Sequence, residues 1–390
     1  MRYALRHLIC ACALILVGVL AMPVTASAAK ISWVIKGRGY GHGAGMSQYG
    51  AYGYARAGKG YRWILRHYYR GTSVDKLGPA PDPGGVNAGR RAGGRVVRVL
   101  LRIDPNDVVF AGASGACGRR LDPSRSYRAH RRGAAVQLRS ASGRPLGGCG
   151  GKLRAAGGGR VLIGGLGSYR GALEVVPTRS APGSLNAINA VSVDRYVRGV
   201  VPREVPSTWP YAALRAQTVA ARSFALSSGV DGNGFDLYAD TRSQVYGGVA
   251  AETARTNRAA ADTKGEVVKH AGEIAQTFYF STSGGRTESV ENVFFGPAVP
   301  YLRSVVDRFD YHSPLHTWTM RLSGREISSR LDRYLNGRLR RIVVLERGDS
   351  PRIVWARLVG TRGTTRIRGD SLQYALGAYD RWMTFRKVVR

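Results

Sequence analysis

The chain predicts an α+β fold, and three observations carry that expectation. Short segments alternating apolar with polar or basic residues crowd positions 95–176; one long apolar-periodic run, Tyr211–Ser227, reads as a buried helix; and strands and helices do not alternate as a parallel βαβ sheet requires. The expected strands are RVVRVLLRI, AAVQLRS, GRVLIGG and ALEVVPT, separated by glycine-rich breaks. In the central helix Ala213, Ala216, Ala220 and Phe224 share one face, with Leu214, Ala221 and Ala225 beside them. Small side chains there allow close approach to a neighbouring element. Ser207 or Thr208 is placed to cap this helix, and Pro210 suits its opening turn. Farther on, 255–264 is expected to be helical, 266–270 and 274–280 to be strands, and Ser283-Gly284-Gly285 to be a turn. A helix over 325–335 follows, then strand character in RIVVLER, RIVWARLVG and TRIRG, and a final helix-like stretch over 371–378. No internal repeat is visible.

The composition bounds the function before any motif does. Hydrophobic residues make up 44% of 390, enough for a packed core, and the 52 Gly and 16 Pro follow no triplet period, so neither a disordered nor a collagen-like chain fits. The 59 Lys+Arg against 25 Asp+Glu give a formal net charge of +34. Such a charge attracts nucleic acid, an anionic membrane or an acidic wall polymer, and is silent on fold.

The N-terminus narrows the compartment. Arg2, Arg6 and His7 precede an apolar run over 8–21 and the small residues Ala26-Ser27-Ala28-Ala29, the pattern of a secretory signal peptide over 1–29 cleaved near Ala28-Ala29, with a retained N-terminal anchor as the alternative. The run is shorter than the roughly 20 residues a membrane span needs, and no later stretch rivals it, so no stable membrane insertion is expected. Cys10 and Cys12 stand at the start of that run, which does not suit a lipoprotein processing site. Export argues against nucleic acid as a partner. In an exported chain Cys117 and Cys149 are expected to pair, with two free thiols as the alternative; the bridge would close a loop of about 30 residues. Two cysteines are too few for a structural zinc site.

Four segments follow the leader: a compact Gly- and aromatic-rich stretch at 30–77, a Pro/Gly linker at 78–94 (GPAPDPGGVNAGRRAGG), a β-rich subdomain at 95–184 and a core at 185–390. Because carboxylates are scarce, Glu204 stands out within VVPREVP. Prolines stiffen the backbone on either side and valines lower the local dielectric, a setting that keeps a carboxyl protonated as a general acid requires. A plain ion pair with Arg203 or Arg195 is the alternative. The segment GRGYGHGAGMSQYG presents Tyr40, His42, Ser47, Gln48 and Tyr49 on a glycine scaffold, which suits carbohydrate better than phosphate, since neither the dinucleotide nor the Walker spacing is present. A structural turn around a core His42 would read the same way. His312 and His316 lie four apart, but Pro314 between them argues against a metal pair, and Ser281 and Ser283 lack a nucleophile-elbow motif. The Arg-rich runs at 119–120, 128–132 and 338–341 read as solvated faces.

At these residues the sequence resembles the SpoIID/LytB family, the sporulation stage II protein D and amidase-enhancer proteins, whose sporulation members are peptidoglycan lytic transglycosylases. The stretch VDRYVRGVVPREVPSTWP, continuing through ALRAQTVAARSFAL, is similar to the family's central motif; TRSQVYGG, YFSTSGGRTES and PYLRSV are similar to its later blocks, in order. The resemblance covers most of the chain from about position 95 onward. It implies a single large catalytic domain with a β-rich subdomain and a central buried helix, with Glu204 in the catalytic-acid position. It further suggests His42, Ser47, Gln48, Arg222, Gln244, Tyr246 and Ser283 as substrate contacts.

Two departures stand out. The block GRGYGHGAGMSQYGAYGYARAGKGYRWILRHYYRGT is expected last in the family, after a GDSLQYALGAYDRWMTF-like segment, yet here it comes first. This looks like a circular permutation, which requires residues 37–71 to pack beside the C-terminal elements. At Ser283 some family members carry a zinc-associated Cys; a serine does not replace a thiolate ligand, so neither metal nor other cofactor is expected. The implied reaction cleaves the MurNAc-GlcNAc β-1,4 bond of peptidoglycan glycan strands without water. The rivals are a non-catalytic wall-binding module that enhances an amidase and an exported polyanion binder. Expected partners are the glycan strands, with anionic wall polymers and a cell-wall amidase as further candidates, at the cell envelope.

Overall fold

The computed structural model describes residues 31–77, 96–105, 107–230 and 232–389; the expected leader and the linker at 78–94 lie outside the described residues. The fold is α+β, as the strand and helix patterns predict. Its largest unit is a pair of sheets sharing one core, antiparallel except for the parallel edge pairing of Leu237–Tyr238 on Val96–Asp104. In the seven-stranded sheet, Val96–Asp104 pairs along its length with Leu185–Ser192, which pairs in turn with Ala172–Pro177. The β-rich stretch and the segment after 185 therefore share a sheet. The six-stranded sheet includes Val108–Ala111, Tyr127–Arg132, Ala135–Ser140 and Arg160–Ile163. Alternation places Val97 and Val99, or Val136 and Leu138, inward, as period-two patterning dictates. Cys117, just beyond strand Gly115–Ala116 of the first sheet, is disulfide-bonded to Cys149, just beyond strand Pro145–Gly148 of the second, with Cα atoms 5.0 Å apart.

The helix Tyr211–Ser227 lies between two cores. Leu214, Ala221 and Ala225 join the sheet core, while Ala216, Val219 and Ala220 join a second core with Ile64, Leu65 and Tyr68. Its cap differs from expectation: the N-cap position is Pro210, whose carbonyl accepts from Ala213 N, and neither Ser207 nor Thr208 caps it. Those two residues sit inside a turn closed by Trp209 N donating to Pro206 O, short of the helix. Val193–Glu204, a helix with Pro202 in its last turn, was masked in the sequence by its valines and its proline, both poor helix signals. The strand expected over 274–280 is reduced to two short pairings in different sheets, Glu273–Ile274 with Lys269–His270 and Tyr279–Phe280 with Met46–Ser47. The helix expected over 325–335 runs Gly324–Arg330 and finishes as a single 3₁₀ turn, Asp332–Tyr334.

The first and last described strands pair with each other. Ile31–Arg38 is the central strand of an antiparallel sheet flanked by Thr317–Ser323 and Met383–Val389. The glycine-rich stretch that follows threads against the C-terminal half, with Gly41 N donating to Tyr379 O and Glu288 N donating to Gly43 O. Gly45, at φ +79, passes so close to the Phe278 carbonyl that any side chain there would collide with it. Part of the arginine excess is internal, since Arg222, Arg352 and Arg381 are the largest fully buried side chains. Among the described residues no helix is long and apolar enough to cross a membrane.

Candidate functional site

Glu204 is the last residue of its helix, and the chain leaves it in extended conformation at Val205. Helix termination frees the side chain to point at the junction where residues 47–48, 244–245 and 279 converge. Val245 N donates to Glu204 Oε1 at 3.2 Å, and the side chains of Gln48 and Tyr279 lie close enough to favour its charged form. Burial holds the carboxyl above its usual pKa; the three donors moderate this without cancelling it. The negative end of the helix dipole acts in the same direction as burial. No arginine or lysine pairs with Glu204 among the described ion pairs, so the simple ion pair with Arg203 or Arg195 is not formed.

A polar chain supports this carboxyl from behind. Tyr196, buried on the same helix, donates its hydroxyl proton to Gln244 Oε1 at 3.2 Å, and Gln244 Nε2 donates to the Tyr279 hydroxyl at 2.8 Å. With its oxygen accepting from Gln244, the Tyr279 hydroxyl has its proton left to give to Glu204. Burial pushes both phenols well above their ordinary pKa, so both keep that proton at neutral pH.

The glycine-rich stretch supplies the opposite wall. Ser47 caps the helix Gln48–Arg56 by accepting from Gly50 N, and its hydroxyl donates to Asp310 Oδ1 at 2.9 Å. That anchor fixes Gln48 in the first turn. His42 is enclosed by Phe278, Phe280 and Phe294. Its Nδ1 accepts from Ala44 N, so Nε2 carries the proton toward Tyr279 O at 3.1 Å. Burial, with Arg381 and Arg352 nearby, lowers its pKa to about 4, leaving a neutral imidazole that fixes the Tyr279 backbone.

Of the residues singled out in the sequence, the structure thus brings Gln48 and Gln244 to Glu204. Ser47 and His42 lie one layer behind. Arg222 is completely buried, ion-paired with Asp194 at 2.9 Å and bonded to the Glu266 carbonyl, so it braces the central helix rather than facing a substrate. The Tyr246 hydroxyl donates to Asn189 Oδ1 inside the sheet core, and its ring packs 4.9 Å from that of Tyr196. Ser283 is buried, its hydroxyl accepting from Gly285 N. Among the described residues no group of three or more His, Cys, Asp or Glu side chains is arranged to hold a metal ion. The sequence reading missed Tyr279 and the Val245 amide, although both lie in the quoted blocks YFSTSGG and QVYGG. A phenol among aromatics and a backbone N–H give no local signal; only the fold turns them toward a carboxyl.

Comparison with known proteins meets this geometry. Residues 181–270, which contain Glu204, both flanking helices and Gln244, match the family model SpoIID, Stage II sporulation protein. The chain is 36% identical over 134 residues to the amidase enhancer of Bacillus subtilis, covering 34% of this chain and 18% of that protein. It is 32% identical over 168 residues to stage II sporulation protein D of Bacillus subtilis, covering 39% and 49%. An uncharacterized protein of Brachyspira hyodysenteriae is 33% identical over 169 residues, covering 43% and 45%. The chain spans less than half the length of these relatives.

Proposed function

From the premise that the chain carries a SpoIID family domain, associated with cell-wall processing, we propose that it is a peptidoglycan lytic transglycosylase with Glu204 as its acid and base. The supporting observation is Glu204 itself: a half-buried carboxyl at the end of a helix, held above its usual pKa and, among the described residues, approached by hydrogen-bond donors rather than cations. The protonated carboxyl gives its proton to the glycosidic oxygen as the C1–O4 bond breaks. As carboxylate it then takes the proton of the MurNAc 6-hydroxyl, whose oxygen bonds to C1. The glycan gains a 1,6-anhydro end, no water is consumed and the acid is regenerated. The donors on Glu204 stabilise its charged interval, and Gln48 and Tyr279 orient it. One carboxyl suffices because the nucleophile belongs to the substrate, whereas hydrolysing glycosidases need two. The +34 charge then serves capture on an acidic envelope. The N-terminal Gly/aromatic segment, fitted between C-terminal strands, accords with a circularly permuted arrangement of the family blocks.

The second reading, a module that enhances a wall amidase without cleaving glycan, draws on the amidase-enhancer relative. Purified peptidoglycan incubated with the chain distinguishes them. We expect anhydro-MurNAc ends by mass spectrometry, reduced at least about a hundredfold by Glu204→Gln with the melting temperature retained. Absence of such ends, or equal yields from the variant, rejects the transglycosylase and leaves the enhancer.

A further inference from the structure

Beside Glu204 begins a line of aromatic rings that the chemistry above does not use. Trp209, five residues beyond Glu204, lies 5.0 Å by ring centroid from Tyr49, the neighbour of Gln48, and 5.1 Å from Tyr52. Tyr52 is 5.5 Å from His312, and His312 is 4.4 Å from Tyr311. Exposure rises along the line, from 8% at Trp209 through half-buried Tyr52 and His312 to 57% at Tyr311. The rings come from three separate segments: Trp209 belongs to the sheet core and Tyr49 and Tyr52 pack against it, while His312 and Tyr311 continue the line outside that core. Tyr49 and Tyr52 lie three apart on one face of the Ser47-capped helix, and His312 and Tyr311 sit on the turn that starts at Asp310, to which Ser47 is bonded. The same anchor that fixes Gln48 against Glu204 therefore also fixes the two halves of the line against each other.

We infer that this line is an extended glycan subsite, a track on which sugars of a β-1,4-linked aminosugar strand beyond the scissile bond lie against the rings. The inference rests on the proposed action at Glu204. Pyranose rings offer apolar C–H faces that pack on aromatic planes, while hydroxyls and N-acetyl groups reach the phenol and imidazole edges. A gradient from buried to open suits a polymer that leaves the cleft, where a closed pocket would suit a small ligand. Binding energy gathered here, away from the reacting atoms, is available to hold the strand in register over Glu204.

The test uses Glu204→Gln protein, which binds without turnover, and peptide-free GlcNAc-MurNAc strands of one repeat and of several repeats, by calorimetry. The track predicts tighter binding of the longer strand, and about tenfold weaker binding of that strand with Tyr311→Ala, recovered by Tyr311→Trp, with the single repeat unaffected. Tyr311 is exposed enough that its removal should leave the melting temperature unchanged. In the active background Tyr311→Ala should raise KM on long strands and leave kcat alone. Length-independent binding, or long-strand binding indifferent to Tyr311→Ala, overturns the track even if anhydro ends form. Length- and Tyr311-dependent binding without anhydro ends keeps the track and rejects the reaction.

Discussion

Two buried glutamates in this molecule are treated in opposite ways. Glu288 is completely buried and accepts five hydrogen bonds: from Ser289 N, Asn292 Nδ2 and Asp349 N on one oxygen, and from Ser350 N and Ser350 Oγ on the other. Glu204 is only half-buried, receives one backbone bond and two side-chain partners, and sits where burial raises its pKa. Asp310 belongs with Glu288, since Ser47 Oγ, Ser283 N, Gly284 N and His316 Nδ1 all serve it within 2.9 Å. Carboxylates saturated with donors are knots that tie loops together. A carboxyl left partly desolvated and short of donors retains the capacity to exchange a proton.

The strongest way to break the comparison is to remove each glutamate in turn. Glu288→Ala strands five donors in the core and should cost at least about 3 kcal/mol in urea unfolding, with activity per folded molecule retained. Glu204→Gln should do the reverse, removing product formation while stability holds. If both variants lose stability equally, Glu204 is a knot like the other.

A bond of another kind offers a gentler probe. Replacing Cys117 and Cys149 by Ser should lower stability by about 2–4 kcal/mol, because the bridge constrains the unfolded chain over a sequence separation of 32. The bridge joins the edges of two sheets within the β-rich region, and Glu204 lies elsewhere, so glycan cleavage at moderate temperature should be unchanged. Loss of cleavage in step with loss of stability would show that the sheets and the Glu204 corner unfold as one unit.

The comparison also marks what the sequence could and could not show. The central helix was legible because seventeen residues keep a helical apolar period, and the sheets because alternation survives between glycines. Glu204 was legible because an acid among valines and prolines is chemically incongruous in so basic a chain. Gln48 was legible as a polar group on a glycine scaffold, Gln244 only through resemblance, and Tyr279 not at all, because its role depends on Phe278 and Met46 bonding across the chain. Arg222 shows the same limit: nothing local in its small-residue helix announces that it will be buried against Asp194. Local pattern encodes which face is buried; it does not encode which distant group a polar side chain will meet.

Asp307 lies between the two classes and gives the finest test. It is buried beside Asp310, and among the described residues its oxygens make no hydrogen bond, although the hydroxyls of Tyr68, Ser283 and Ser47 lie close enough to ease its charge. Burial first, and then the charge of Asp310, pushes its pKa up to about 7. The folded state therefore holds this proton more tightly than the unfolded chain. The stability it contributes is whole below the ordinary aspartate pKa, erodes as pH rises toward 7, and is gone above it. Asp307→Asn keeps the shape and removes the titration, so thermal melts of the variant should hardly differ from wild type near pH 4. They should exceed wild type by a few degrees near pH 8.5, where the native carboxyl has been forced to ionise against Asp310. Because Ser47 is bonded to Asp310 and carries Gln48, the same ionisation should loosen the wall opposite Glu204, so the variant should lose less of its glycan cleavage between pH 6 and pH 8 than wild type does. A variant whose stability follows the wild-type pH curve throughout would mean that Asp307 is already satisfied, a third knot rather than an intermediate case.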